Sequence, residues 1–164
     1  MSSAANAPTA PDVSVIIGRI QAQYVRCIDE GPLESWPDFF TEQCLYQVTT
    51  AKNYRNGMPA GLIWADTRGM LNDRVSALRD ANIYERHSYR HIIGQPAILA
   101  EAGDEVDSET PFIVVRITGD GPTDIFATGR YIDRYVIDGA TATLRQRIVV
   151  CDSSQIDTLL ALPL

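Results

Sequence analysis

Lysine is almost missing from this sequence, in which Lys52 is the single lysine among 14 basic residues. Acidic residues outnumber the basic ones by 21 to 14, which gives a formal net charge of −7. Nucleic-acid-binding domains normally carry a basic face, so this balance argues against a nucleic-acid partner and against attraction to an anionic membrane. Because arginine carries nearly all the positive charge, the sequence favours planar, bidentate pairing at buried or interface sites.

Cysteine and long apolar runs are also scarce. Cys27, Cys44 and Cys151 lie far apart, without a CxxC pair, so we expect core residues in a reducing compartment instead of a disulfide framework. No apolar run approaches the roughly 20 residues that span a bilayer. The first ten residues lack the basic and apolar regions of a secretory signal. We therefore predict a cytoplasmic protein with a disordered lead-in at 1–11 and one domain at 12–164.

Common catalytic and metal-binding patterns are missing as well. The sequence has no GxGxxG, Walker A or GxSxG motif, and histidine occurs only as His87 and His91. On a helix this His-x3-His spacing would suggest a shared metal, but on a strand the two residues lie about 13 Å apart. The neighbouring Tyr89, Ile92 and Ile93 favour a strand. We therefore expect no metal or other cofactor in this chain.

The first half of the sequence has helical patterns. Asp12 is a suitable N-cap, Gly31 a suitable stop, and the residues between them carry an apolar stripe with helical spacing. The stripe consists of Ile16, Ile20, Tyr24 and Ile28. We further predict a short helix at 36–40, a strand at 45–50, a loop at 51–62 and a third helix that begins near Asp66 or Thr67.

The second half is rich in β-branched and aromatic residues. Strands are predicted at 91–100, 111–118, 125–136 and 142–151, with an acidic, solvated turn at 101–109. Helices followed by strands predict an α+β domain. Its expected form is a cone, in which a strongly curved antiparallel or mixed sheet packs on the N-terminal helices.

Two interpretations of the polar and aromatic residues are compatible with such a cone. One is an enclosed pocket of the ketosteroid isomerase or dehydratase type, with Asp66 or His87 as general base beside Tyr46 and Trp64. The other explanation is that Asp66 caps a helix and the aromatic side chains fill the core. We favour the second, because the spacing alone does not bring these groups together.

The sequence also indicates a protein–protein interface, because many arginines are interleaved with Tyr84, Tyr89, Tyr131 and Tyr135. This mixture is typical of protein–protein interfaces. The arginines concerned are Arg68, Arg74, Arg86, Arg90, Arg130, Arg134, Arg145 and Arg147. Some of them are therefore predicted to contact another subunit, either in a mixed complex or in a homo-oligomeric scaffold.

A set of sequence motifs indicates which kind of complex this interface would belong to. In order they are WPDFFT at 36–41, CLY at 44–46, DTRGMLNDRV at 66–75, ANIYERHSYRH at 81–91 and CDS at 151–153. Together they resemble the β (small) subunit of bacterial aromatic-ring-hydroxylating dioxygenases. IWAD at 63–66, TPF at 110–112 and the ending DTLLALPL at 157–164 are most like the members that oxidise terephthalate.

The resemblance implies a fold like nuclear transport factor 2, in the cystatin-like class. It also implies an α3β3 hexamer in which the larger α subunit carries a Rieske [2Fe–2S] cluster and a mononuclear Fe(II). A separate reductase would supply electrons from NAD(P)H, and the complex would convert an aromatic carboxylate into a cis-dihydrodiol. In this setting the β subunit is structural and non-catalytic. The α-subunit contacts that we expect are Arg68, Arg74, His87, Tyr89, Arg90 and His91.

Overall fold

A computed structural model describes residues 11–59, 61–80, 87–119, 121–156 and 162–164. The elements in chain order are α1 (Val13–Glu30), a 3₁₀ helix (Leu33–Phe39), β1 (Phe40–Thr50), α2 (Ala51–Arg55), β2 (Ile63–Thr67), α3 (Arg68–Asp80), β3 (His87–Ile93), β4 (Ala97–Ala102), β5 (Glu105–Thr118), β6 (Thr123–Asp138) and β7 (Thr141–Cys151).

All seven described strands belong to one sheet. The order is β2-β1-β7-β6-β5-β3, and β4 also pairs with β5. The β1–β7 pair is parallel, whereas the other described pairs are antiparallel. Helices α1 and α3 pack against this sheet and bury their apolar stripes there. The predicted α+β domain with a curved, mixed sheet is confirmed.

Helix α1 begins and ends where its sequence predicts. The Asp12 carboxylate accepts a hydrogen bond of 2.8 Å from the Ser14 backbone N–H, as an N-cap residue does. At the other end, Gly31 has a φ of +82° and donates its N–H to the Cys27 carbonyl. The predicted apolar stripe, Ile16, Ile20, Tyr24 and Ile28, is buried.

The predicted loop at 51–62 is only partly correct. Its first residues form α2, because the Thr50 hydroxyl accepts a hydrogen bond from the Asn53 N–H and caps a short helix. Ile63–Thr67 then forms β2, which pairs with β1 and was not predicted. The third helix begins at Arg68, within two residues of its predicted start.

The predicted acidic turn at 101–109 is wrong. Apart from a tight turn in which Gly103 has a φ of +64°, this stretch continues β4 and begins β5. Three of its acidic side chains are compatible with a strand because arginines of β6 and β7 neutralise them. The pairs are Glu105–Arg145, Asp107–Arg134 and Glu109–Arg130.

The predicted strand at 91–100 is interrupted. Backbone pairing stops after Ile93 and resumes at Ala97, so β3 and β4 are separate strands that both pair with β5. The Gly94 N–H still donates to the Pro111 carbonyl at 2.8 Å, in register with the β3–β5 pair, and pairing resumes at Ala97 with the register shifted by one residue. Pro96, which lies between the two strands, has no N–H to add to a ladder.

The apolar end of the chain packs into the core, as its composition predicts. Leu164 is fully buried, and its main-chain oxygen accepts hydrogen bonds from the Tyr24 and Tyr46 hydroxyls. Residues 157–161, like the predicted lead-in up to residue 10, lie outside the described part. None of the helices in the described part combines the length and apolar character needed to cross a bilayer.

The three cysteines are buried, and we expect them to react slowly in the folded chain. Burial raises the pKa of Cys27 and Cys44, and raises the pKa of Cys151 to about 12. Because the thiolate is the reactive form, Cys151 would have roughly a thousandfold less of it than a free cysteine. Thiol titration with and without denaturant, followed by peptide mapping, measures this. Rapid labelling of Cys151 in the folded chain would contradict the expectation.

Candidate functional site

A row of inward-facing side chains crosses five strands of the sheet. Ala65 on β2 pairs with Tyr46 on β1, which pairs with Arg147 on β7. Arg147 in turn pairs with Asp133 on β6, which pairs with Ser108 on β5. All five residues are buried. The row therefore places one cation and one anion on the inner face of the curved sheet.

Arg147 and Asp133 form a bidentate ion pair that is completely inaccessible to solvent. The Arg147 Nε and Nη2 atoms lie 2.9 Å and 2.8 Å from the Asp133 Oδ1 and Oδ2 atoms. Arg147 Nη2 also donates to the Tyr135 hydroxyl at 3.1 Å, and that hydroxyl donates to Asp133 at 3.2 Å. Gln21 adds a longer hydrogen bond of 3.4 Å to the same carboxylate. These contacts compensate in part for the desolvation of both charges.

The Arg147 guanidinium is also held between two aromatic rings. Its central carbon lies 4.1 Å from the centre of the Tyr24 ring and 3.9 Å from the centre of the Tyr131 ring. Phe112 stacks on the far side of Tyr131, with 4.6 Å between ring centres. The Tyr24 and Tyr131 rings themselves meet edge to face, at an interplanar angle of 66°. Helix α1 and strands β5, β6 and β7 thus each contribute one side chain to this cluster.

The electrostatics of the cluster do not suit acid–base chemistry near neutral pH. Burial opposes the charged form of Arg147, but Asp133 and the neighbouring tyrosines raise the pKa of its guanidinium overall. Burial raises the pKa of Tyr24, Tyr46, Tyr131 and Tyr135, so these phenols stay protonated. The Arg147 guanidinium and these four phenols are therefore unsuited to act as general bases near pH 7.

The described residues do not bring together the groups that a stand-alone pocket enzyme would use. Asp66 and Trp64 alternate with buried neighbours on β2 and face outward, whereas Tyr46 faces the core. These groups therefore do not converge on one site. The other candidate base, His87, begins β3, but its side chain lies outside the described residues. Arg147 and its aromatic neighbours occupy the part of the interior where the sheet faces α1.

The two histidines lie on a strand, as predicted, and not on a helix. Strand β3 extends from His87 to Ile93, and His91 faces inward against the end of α1. The His91 Nδ1 atom lies 2.6 Å from one Asp29 oxygen, and its backbone N–H donates to the other at 2.8 Å. In the described part of the chain, no group of three or more His, Cys, Asp or Glu side chains could hold a metal ion.

Removing the Asp29 carboxylate should loosen the attachment of β3 to α1. In Asp29→Ala the His91 N–H and imidazole lose their acceptor while they remain buried, so we expect a loss of about 1–3 kcal/mol in the free energy of unfolding. Urea denaturation measures it. A suitable control is Glu30→Ala, which removes the exposed ion pair with Arg90 and should cost at most about 1 kcal/mol. Equal losses in the two variants would contradict the prediction.

The predicted subunit contacts occupy different parts of the sheet. Arg68 donates two hydrogen bonds to the Phe40 carbonyl and pairs with Glu42 at 2.7 Å, so it fastens the start of α3 to β1. Tyr89, at the other end of the strand order, is buried and stacks on Phe126. Whether Arg68, Tyr89 or the others contact a partner stays a prediction.

Several of the arginines and tyrosines that were considered for an interface do not lie on the surface or are already paired. Tyr131, Tyr135 and Arg147 are core residues, because they form the buried cluster. Arg134 and Arg145 form ion pairs with acidic side chains of β5, and Arg130 lies 3.7 Å from Glu109 on the same strand. Arg86 and Tyr84 lie outside the described residues. The arginine-rich composition therefore reflects ion pairs within the sheet at least as much as any interface.

Comparison with known proteins identifies this class of domain. The family model of the SnoaL-like domain matches residues 15–147. A crystal structure of the β subunit of a candidate aromatic-ring-hydroxylating dioxygenase from Novosphingobium aromaticivorans superposes with a TM-score of 0.85 at 41% sequence identity, and covers 92% of this chain and 96% of that one. The open, curved sheet with helices packed on it is thus a SnoaL-like, nuclear transport factor 2-like fold.

Two curated relatives specify the family more closely. The terminal oxygenase component subunit β1 of terephthalate 1,2-dioxygenase from Comamonas is 47% identical over 148 residues, which cover 90% of this chain and 96% of that protein. The small subunit of anthranilate 1,2-dioxygenase from Burkholderia cepacia is 37% identical over 145 residues, or 88% and 90% of the two chains. The chain belongs to the β subunits of aromatic-ring-hydroxylating dioxygenases, as its motifs indicate.

Proposed function

We propose that this chain is the structural, non-catalytic β subunit of a terminal oxygenase that dihydroxylates terephthalate. The 47% identity to a terephthalate 1,2-dioxygenase β subunit over nine-tenths of the chain is the observation that carries the proposal. The buried cluster supports the structural part of it, because the Arg147–Asp133 ion pair and the tyrosine rings beside it fasten α1 to the sheet.

The proposed complex pairs this chain with a larger α subunit in an α3β3 hexamer in the cytoplasm. The α subunit holds the Rieske cluster and the mononuclear Fe(II), which together activate O2, and a reductase delivers electrons from NAD(P)H. Neither iron group fits the described residues of this chain. His91 is engaged by Asp29, and the three cysteines are buried without a histidine cluster beside them.

Within this complex the predicted contacts have different tasks. Arg90 is exposed on β3 and reaches the α subunit directly, while buried Tyr89 and His91 hold the strand that presents it. Arg68, Arg74 and His87 complete the predicted set. Arg90→Ala tests the direct contact, because it should weaken retention of the α subunit without lowering the thermal stability of the isolated chain.

The assembly is tested by co-expression of the tagged chain with its larger neighbour. We expect a coloured complex with Rieske absorbance, iron and acid-labile sulfide, and light scattering should give equal numbers of the two subunits. With reductase, NADH and O2, the complex should consume terephthalate and release a cis-dihydrodiol, in preference to benzoate or anthranilate. The isolated chain should be colourless and inactive. Failure to retain a Rieske protein, or turnover by the isolated chain, would overturn the proposal.

A further inference from the structure

An apolar surface next to an unneutralised positive charge lies on the outward face of β1. It consists of Tyr54, Met58, Leu62 and Trp64, together with Lys52 and Arg55, and is here named the α2–β2 patch. Its four apolar side chains fall within eleven residues of sequence, and all are exposed. Apolar groups gathered in this way mark interaction sites more often than scattered ones do.

Hydrogen bonds fasten the α2–β2 patch to the sheet. The Gln47 side chain donates to the Pro59 carbonyl at 3.2 Å, and the Leu62 N–H donates to the Val48 carbonyl at 2.7 Å. Trp64 lies directly beside Gln47 in the β1–β2 pair. The segment is therefore ordered around β1, and a partner could bind it without first ordering the chain.

The charges of the α2–β2 patch differ from those on the rest of the sheet. Arg130, Arg134 and Arg145 each have an acidic partner, whereas Lys52 and Arg55 are exposed and have no ion pair within the described ranges. On a chain with a net charge of −7, the patch is thus a local site of positive charge. Contact between two identical copies of the patch would bring like charges together, which opposes a symmetric dimer.

We propose that the α2–β2 patch is a docking site for an acidic surface of the larger oxygenase subunit that carries exposed apolar side chains. This inference rests on the proposed function and specifies the surface that it uses. Leu62 and Trp64 would lose water against apolar groups of the partner at the centre of the contact. Lys52 and Arg55 would face carboxylates at its rim, where charges govern partner selection and the rate of association.

Apolar substitutions test the centre of the contact. Trp64→Ser and Leu62→Ser should each weaken retention of the co-expressed larger subunit roughly tenfold or more. Ile125→Ser and Leu99→Ser are matched controls, because these residues are more exposed, at 67% and 59% against 48% for Trp64 and 50% for Leu62, and lie outside the patch. The controls should retain the larger subunit as the unmodified chain does. Circular dichroism of each isolated variant verifies that it is folded.

A charge reversal tests the rim. Arg55→Glu should slow association with the larger subunit several-fold and reduce its dependence on ionic strength, as expected when a favourable charge pair is lost. Arg19→Glu is the control, since Arg19 is also exposed and has no ion pair within the described part of the chain. It changes the net charge equally and should leave association unchanged.

The possible outcomes separate the patch from the proposed function. If the unmodified chain retains the larger subunit and the patch variants retain it equally well, the patch assignment is wrong but the proposed function stands. If the variants keep the larger subunit at equal stoichiometry but the assembly falls to single αβ pairs, the occupant is another copy of this chain, which also overturns the assignment. If the unmodified chain retains no larger subunit, the proposed function itself fails.

Discussion

Asp133→Ala should lower the free energy of unfolding by about 3–5 kcal/mol, as expected when one member of a buried ion pair is removed. The Arg147 guanidinium would stay in the core, between Tyr24 and Tyr131, without its counter-charge. Two of its nitrogens and the Tyr135 hydroxyl would also lose their acceptor. Chemical denaturation of the isolated chain, followed by circular dichroism, measures the change.

Two further variants test whether the unpaired, buried charge of Arg147 causes the loss of stability in Asp133→Ala. Asp107→Ala removes another bidentate contact to an arginine, Arg134, but on the exposed face, and should cost no more than about 1 kcal/mol. The double variant Asp133→Leu with Arg147→Met removes both charges and keeps apolar volume, so it should be more stable than Asp133→Ala alone. The explanation fails if Asp133→Ala costs as little as Asp107→Ala, or if the double variant is the least stable.

Part of this buried cluster could have been predicted from β6 alone. Tyr131, Asp133 and Tyr135 alternate with Ile132 and Arg134, and side chains two residues apart lie on one face of a strand. Because two of the three are large aromatic residues, the shared face is the buried one. That pattern places a carboxylate in the core, where it needs a cationic partner.

The cationic partner of Asp133, which is Arg147, could not have been predicted in the same way. Gln146 pairs with Arg134 and Leu144 pairs with Tyr135, so β7 contains one extra residue at this point. Strict alternation from buried Leu144 would turn Gln146 inward, but the irregularity turns Arg147 inward instead. A register shift of this kind depends on the neighbouring strand and leaves no mark in local sequence.

The dependence on neighbouring strands also explains the incorrect prediction of an acidic turn at 101–109. The carboxylates of 101–109 look solvated in sequence, and only the fold places arginines such as Arg134 opposite them, 27 residues away. By contrast, α1 was predicted correctly because the Asp12 cap, the apolar stripe and the Gly31 stop all act over a few residues. Local signals define the helix, whereas the neighbouring strands determine whether a charged side chain in the sheet is solvated or paired.

Gly129→Ala should be the most damaging of the small substitutions, with a loss of about 3 kcal/mol or more in the free energy of unfolding, since forced overpacking displaces neighbouring structure. Gly129 lies in β6 between Phe112 on β5 and Cys151 on β7. An added Cβ would lie 2.1 Å from the Val150 carbonyl oxygen and 3.0 Å from the Cys151 Cα. Both are backbone atoms, so the clash cannot be relieved by rotating a side chain.

The strand must therefore move, and it carries Tyr131 and Asp133 two and four residues further along. Gly18→Ala is the matched control, because an added Cβ at this position of α1 meets nothing within 4 Å. Replacing a glycine inside a helix should stabilise the chain by up to about 1 kcal/mol. Thermal and urea unfolding of both variants should thus give shifts of opposite sign. A Gly129→Ala chain as stable as the unmodified one would show that β6 and β7 are not held together as closely as described.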